Sequence, residues 1–252
     1  MNSLYPSPIF GPVHSRRLGL SLGINLMPAD GKMCSFDCIY CECGFNADAR
    51  GGSPRPTREA VAAALETRLQ AMTAEGRLPD VLTFAGNGEP TLHPDFPAII
   101  ADTRRLRDQY CPEARISVLS NATRVTRPEV HDALLLVDNN IQKLDTVDMD
   151  IIRRLDRPAP GYDLAATIEA LCRFNGHVII QTMFLTGSIN NTGEQYVAPW
   201  LEVLQRIAPQ SVMVYTIDRP TPDHSLRKAD HETLDAIADR VRALGITCTV
   251  AY

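Results

Sequence analysis

The sequence predicts an α/β fold made of successive βα units and curled into a partial (β/α) barrel of about six to seven units. From about residue 80 onward, short β-branched runs alternate with amphipathic stretches of helical length. No linker-like stretch interrupts this alternation, so residues 1–252 are expected to form a single domain, and 44% hydrophobic residues suffice for one contiguous core. Strands separated by helices imply a mainly parallel sheet, because the return crossover is right-handed and lays each helix on a sheet face. Curling follows if the helices cover one face only and the unit count falls just short of the eight that close a barrel. An open doubly wound sheet is the alternative, and in both folds the functional loops follow the C-terminal ends of the strands.

Seven strands are expected, at 18–26, 81–86, 115–121, 140–145, 177–184, 211–218 and 246–250. Helices are expected near 57–75, 95–108, 127–136, 148–155, 163–174, 194–208 and 230–243. Thr57 and Asp230 are suited to cap their helices, and Thr126 with Glu129 forms a T-x-x-E capping box with Pro128 in the first turn. The loop at 27–56 is long enough to suggest that it carries function.

A net charge of -5 gives no general attraction to nucleic acid or anionic lipid, although a local basic patch would escape this count. Nucleic acid therefore stays open as a partner. No window approaches the roughly 18 uninterrupted apolar residues of a membrane span, and the first residues lack a charged and apolar leader pattern. A cytoplasmic protein without a membrane partner is expected. Of seven cysteines, Cys34, Cys38, Cys41 and Cys43 fall within ten positions, while Cys111, Cys172 and Cys248 are scattered. That is no disulfide framework, and a metal centre in a reducing compartment fits better.

In Cys34-Ser35-Phe36-Asp37-Cys38-Ile39-Tyr40-Cys41, three thiols lie within eight residues directly after the first expected strand. Thiolates are soft ligands that favour iron-sulfur clusters or zinc. Three ligands leave one metal position open, which suits a cluster iron that binds a small molecule or a zinc with a water or Cys43 as fourth ligand. A structural zinc knuckle of Cys34, Cys38, Cys41 and Cys43 is the plainer reading, but Cys41-Glu42-Cys43 is too tight for the usual CxxC pair.

The Cys-x3-Cys-x2-Cys spacing, with Tyr40 just before the third cysteine, resembles the signature of the radical S-adenosylmethionine (SAM) superfamily. The ordered set GPVHSRRLGLSLGINL, CSFDCIYCECG, GNGEPTLHPDF, SNAT, KLD, LDRPAPG and QTMFLTG is similar to small single-domain members related to the wyosine-synthase branch. The resemblance implies that Cys34, Cys38 and Cys41 bind one [4Fe-4S] cluster and that SAM chelates its fourth iron. Reductive cleavage of SAM would then give a 5'-deoxyadenosyl radical that abstracts hydrogen from an unidentified substrate, a small metabolite, a peptide or protein, or a tRNA base.

Further expectations come with the resemblance. Gly86, Asn87, Gly88, Glu89 and Pro90 take the place of the family's glycine-rich motif, whose backbone and acidic side chain receive the SAM ammonium. Asn87 departs from the commoner Gly or Ser. Ser120 and Asn121 lie where polar groups meet the SAM ribose or carboxylate, and Lys143, Asp145 and Gln181 lie where SAM or substrate contacts fall. A buried ion pair of Lys143 with Asp145 or Glu89 is the structural alternative. Tyr40 either packs beside cluster and adenine or staples the loop to the barrel. Arg16 and Arg17 suit an anionic substrate or a solvated turn, and Tyr215, Asp218 and Arg219 point toward the open mouth of a barrel. His93, His131, His177, His224 and His231 read as surface or cap residues.

A second cluster is not expected, because Cys43, Cys111, Cys172 and Cys248 lack a ligand-like grouping. Electrons would come from an external donor such as flavodoxin or ferredoxin. The competing function is an iron-sulfur electron-transfer or metal-sensing module that does not cleave SAM and closes its site with a fourth protein ligand.

Overall fold

A computed structural model describes residues 4–15, 19–48 and 51–252. Arg16 and Arg17 lie outside the described residues. The strands of the main sheet follow the order β1-β2-β3-β4-β5-β6-β8-β10, where β1 is Ile9–Ser15, β2 Gly19–Ile24, β3 Val81–Phe84, β4 Arg115–Ser120, β5 Asn139–Lys143, β6 Ile179–Met183, β8 Ser211–Tyr215 and β10 Thr247–Ala251. β7 (Leu185–Gly187) and β9 (Leu226–Lys228) form a separate antiparallel pair. The chain thus has an α/β fold with a mostly parallel eight-stranded sheet, and among the described residues β1 and β10 are its two edges.

The chain divides into two compact units. The first comprises Met1–Cys34, Asn46–Ser120 and Arg127–Asn140. Here β2, β3 and β4 run parallel in register, with Ile24 opposite Phe84 and Leu82 opposite Ile116. All four residues of β3 are buried, as expected of a strand covered on both faces. Helix α1 (Arg58–Ala74) buries Val61, Leu65, Leu69 and Met72 at helical spacing, and α2 (Phe96–Tyr110) buries Ile99, Ile100, Thr103 and Leu106. Thr57 caps α1 as expected by accepting from the Ala60 N–H at 3.2 Å.

Helix α3 (Pro128–Leu134) corrects one expectation. Its N-cap is Arg127 rather than Thr126, with no side-chain cap bond, and Glu129 lies 3.7 Å from the Arg127 guanidinium. Proline drives the residue before it out of the helical region, so Pro128 at the first helical position leaves Arg127 extended (φ -81°, ψ 124°) and displaces the box. Strand β1 also lay outside the expected strands. Gly11 and Pro12 interrupt its pattern, and its pairing with β2 is antiparallel with a register shift between Phe10 and Val13, which an edge strand tolerates.

The second unit comprises Ser35–Phe45, Asn121–Thr126 and Ile141–Tyr252. Its strands β5, β6, β8 and β10 are parallel, with Ile179 beside both Ile141 and Ser211, and Ser211 beside Thr247. Helices α4 (Met149–Leu155), α5 (Leu164–Cys172), α6 (Glu194–Ile207) and α7 (His231–Ala243) follow the expected positions. Asp230 caps α7 through the Thr233 N–H at 2.7 Å. Because β10 joins β8 in parallel after α7, the C-terminal segment completes a regular αβ unit. Trp200 of α6 is buried, meets Phe184 edge-on at 5.3 Å and donates its indole N–H to the Leu144 carbonyl at 3.1 Å. That bond satisfies the one polar atom of an otherwise apolar side chain. β7 and β9 are three residues each, too short to show a period.

Candidate functional site: a cysteine loop and its supports

In the first unit, the expected glycine motif leaves the end of β3 and folds back onto the residue before Cys34. The Met33 N–H donates to the Asn87 carbonyl at 2.9 Å and the Glu89 N–H donates to the Met33 carbonyl at 3.1 Å, a one-residue parallel bridge between Met33 and Gly88. Gly88 is required there: its φ is +137°, and a Cβ would stand 1.9 Å from the Met33 carbonyl oxygen. Gly86, at φ +126°, passes close to the Asn25 side chain, where a Cβ would lie 2.7 Å from Cγ.

Asn87 is completely buried and acts as a bracket. Its Oδ1 accepts from the Tyr5 N–H at 2.7 Å, while Nδ2 donates to the carbonyls of Tyr5 (2.9 Å) and Pro28 (2.8 Å). The residue that departs from the family pattern thus ties the N-terminal segment and the start of the cysteine loop to the glycine motif. Glu89 is buried too, and its Oε1 accepts from both the N–H (3.1 Å) and the hydroxyl (2.6 Å) of Thr91, capping the 3-10 turn Pro90–Leu92. Ser120 is buried at the C-terminal end of β4, the strand parallel to β3. Of the surface or cap roles expected for the histidines, His93 takes the cap, at the end of the 3-10 turn. It is only 5% exposed, its Nδ1 accepts from the Asp95 N–H at 3.1 Å, and its Nε2 donates to the Pro56 carbonyl at 2.8 Å, pinning the far end of the 27–56 loop.

In the second unit, the rest of the cysteine loop is zipped to the end of α4. The Asp37 N–H donates to the carbonyls of Asp156 (2.9 Å) and Arg157 (3.2 Å), the Ile39 N–H to Leu155 (3.0 Å), and the Ala159 N–H to Ser35 (2.8 Å). The last carbonyls of a helix have no partner inside it, and here loop amides on both sides of Cys38 supply one. Cys38 and Cys41 close a turn, with the Cys41 N–H donating to the Cys38 carbonyl at 3.1 Å. Asn121 steadies Ser35: its Nδ2 donates to the Ser35 hydroxyl at 3.0 Å, and its Oδ1 accepts from the Thr123 N–H and hydroxyl at 3.0 and 2.8 Å.

Behind this loop lies a buried charged cluster. Lys143, at the end of β5, pairs with Asp145 and, at 2.7 Å, with Asp156; the Tyr40 hydroxyl joins Lys143 and donates to Asp145. Asp145 is further held by the Met183 N–H at 2.9 Å, and Gln181 is the β6 partner of Lys143 in register. Burial works against the Lys143 charge, but Asp145 and Asp156 outweigh it and hold the ammonium well above its ordinary range. Burial pushes the Asp156 carboxyl up to about 6 against the pull of Lys143, and burial followed by Asp145 holds the Tyr40 phenol well above its usual value. Of the expected site residues, Lys143 and Asp145 thus form a buried ion pair, and the Tyr40 hydroxyl is hydrogen-bonded to both.

Asp156 was not among the expected site residues, although LDRPAPG contains it. Its Oδ1 accepts from Lys143 at 2.7 Å and from the Cys38 thiol at 3.6 Å, the latter a pairing across 118 positions that no local spacing reveals. Of the residues placed at the mouth, Arg219 pairs with Glu42 at 2.6 Å, Asp218 lies 4.0 Å from Lys228, and Tyr215 packs against an apolar cluster that includes Ile39 and Met183.

The donor chemistry fits a metal-sulfur centre. Cys34, Cys38 and Cys41 are partly exposed and none is in a disulfide, whereas burial drives the thiols of Cys111 and Cys248 up to about 11, which keeps both inert. Among the described residues no three His, Cys, Asp or Glu side chains converge on one ion, and a cluster would instead take its thiolates on separate irons.

The described residues define an α/β protein in which a cysteine-bearing loop follows β2 and a glycine turn follows β3. The chain belongs to the radical SAM superfamily, whose family model matches residues 30–198. A UPF0026 protein of Methanocaldococcus jannaschii is 33% identical over 90% of this chain and 69% of its own length. A Brachyspira hyodysenteriae protein named GTPase Obg is 28% identical over 90% of this chain, but the chain spans only 32% of that protein. Among solved structures, a radical SAM methyltransferase from Sphaerobacter thermophilus aligns with a TM-score of 0.67 at 17% identity, over 92% of this chain and 66% of the other. Streptococcus suis SuiB bound to S-adenosylmethionine gives 0.65 at 14% identity, over 91% and 50%. Archaeal TYW1 gives 0.53 at 14% identity, over 88% and 71%. These structures share the fold. Among the described residues no helix is long and apolar enough to cross a membrane.

Proposed function

We propose that this chain is a radical SAM enzyme that binds one [4Fe-4S] cluster through Cys34, Cys38 and Cys41 and cleaves SAM reductively to abstract hydrogen from a substrate yet to be identified. The observation that carries the reading is the Met33–Gly88 bridge, which fixes the backbone at Cys34 to the glycine motif expected to receive SAM. When bound, the cluster and SAM supply the electron transfer and the 5'-deoxyadenosyl radical; the protein supplies placement and exclusion of side reactions.

This chain's own part is to hold the loop and its ligands in position. Gly86 and Gly88 let the motif pack against Asn25 and Met33, where any side chain would intrude, and Glu89, anchored by Thr91, offers a carboxylate for an ammonium. Ser120 and Asn121 supply polar groups where the second expected SAM contact falls. Lys143, Asp145 and Tyr40 form a buried polar cluster joined to Cys38 through Asp156. An external donor such as flavodoxin or ferredoxin would deliver the electron.

The test is anaerobic reconstitution with iron and sulfide, reduction with dithionite, addition of SAM and quantification of 5'-deoxyadenosine by mass spectrometry. The nucleoside is expected from the native protein and not from Cys38→Ala. A stable cluster that neither binds nor cleaves SAM would overturn the reading in favour of an electron-transfer module.

A further inference from the structure

Asp156 closes helix α4 as its C-cap and is 2% exposed. One carboxylate oxygen, Oδ1, serves two partners, the Lys143 ammonium at 2.7 Å and the Cys38 thiol at 3.6 Å. Its own carbonyl accepts from the Asp37 N–H at 2.9 Å, so main chain and side chain hold adjacent residues of the loop, Asp37 and Cys38. A surface carboxylate would swing among rotamers and water. This one is fixed by a buried cation that Asp145 and Tyr40 hold in turn, and the side chain touching the sulfur has no room to move.

We infer that Asp156 is a positioning residue for the Cys38 ligand: it sets the sulfur's orientation before a cluster is built and places a fixed negative charge beside that ligand afterwards. The inference rests on the cluster-binding reading above. Groups that orient a ligand act on metal affinity, and charge next to a ligating sulfur acts on reduction potential. A carboxylate disfavours the extra electron, so its removal makes reduction easier. Lys143 serves as the tether, because it is the group through which Asp156 is held to the sheet.

Two substitutions separate these effects. Asp156→Asn keeps an oxygen where Oδ1 stands but removes the charge; Asp156→Ala removes both. The native chain and both variants are reconstituted with iron and sulfide, challenged with an iron chelator and titrated by electron paramagnetic resonance at controlled potential. Thermal melting of the metal-free proteins serves as the folding control. The expected result is native-like iron retention with a more positive midpoint potential for Asp156→Asn, and about 10- to 100-fold weaker iron retention for Asp156→Ala. An unchanged potential in Asp156→Asn overturns the inference, and that variant decides the matter even if Asp156→Ala fails to fold. Failure of the native chain itself to assemble a cluster overturns the parent reading and takes this inference with it.

Discussion

Replacing Gly88 with alanine tests the geometry that joins the glycine motif to the cysteine loop. The new Cβ would lie 1.9 Å from the Met33 carbonyl oxygen and 2.5 Å from its carbon, well inside contact distance, and it would sit on a residue at φ +137°. Holding a non-glycine residue in so sparsely populated a region costs about 1–3 kcal/mol. Relieving the clash means opening the Met33–Gly88 bridge, two backbone hydrogen bonds worth about 0.5–1.5 kcal/mol each. The two routes overlap, since backbone that relaxes its φ also breaks the bridge, so about 2–4 kcal/mol is expected in total. At roughly 2–4 °C per kcal/mol for a chain of this size, the metal-free protein should melt about 5–15 °C lower. Gly52→Ala is the matched control, because nothing lies within 4 Å of the Cβ it would add. Calorimetry on both variants, with iron content after reconstitution, reads the outcome. A Gly88→Ala protein that melts within a degree of native and takes up full iron would refute the reasoning.

Three further outcomes follow from the same structure. Asn87→Ala strips three hydrogen bonds of a buried side chain and leaves backbone groups of Tyr5 and Pro28 to find other partners, so a loss of about 2–4 kcal/mol is expected, with faster amide exchange around Tyr5; unchanged exchange would argue against the bracket. Cys43→Ala should leave iron and sulfide stoichiometry as in the native chain, since Cys43 is buried rather than presented with the other three; a lost cluster would favour four-cysteine ligation. The Asp102 carboxyl is held below its ordinary value mainly by the hydrogen bond from Arg58, at 2.6 Å. Because the folded value is depressed, this stabilisation is present above the unfolded carboxylate value near 4 and fades as pH falls through the folded one. Asp102→Asn should therefore flatten the acid side of the stability curve by under about 1 kcal/mol, an effect that added salt should shrink; an identical acid limb would contradict it.

The parts of this protein that could be read from its sequence are those encoded over short distances. Helix starts at Thr57 and Asp230, the period of α1 and the spacing of the three cysteines each depend on residues within one or two turns. The capping box at Thr126 does not form because Pro128 imposes a stronger local constraint than the T-x-x-E pattern. Strand β1 was hidden by Gly11 and Pro12, and its place is set by pairing with β2 rather than by its own pattern. The site divides the same way. Cys34, Cys38, Cys41 and the Gly86–Glu89 turn stand out as compact strings, whereas His93 reaches Pro56 and Asp156 reaches Cys38 across 37 and 118 positions, and such partnerships exist only once the chain has folded. Lys143 and Asp145 were visible as charged residues at the end of a strand, but nothing local told a ligand contact from an ion pair.

The zipper between the cysteine loop and α4 also governs where this chain can vary in length. Leu155, Asp156 and Arg157 offer their carbonyls to the loop because α4 stops where it does. One residue added or removed between Asp148 and Leu155 would turn the helix end by about 100° and carry those carbonyls, with the Asp156 carboxylate, away from Cys38. Extra residues near Gly161, where even an added Cβ would meet nothing within 4 Å, would leave that alignment intact. Relatives of this chain should therefore keep the length of α4 fixed and place their insertions after Pro160.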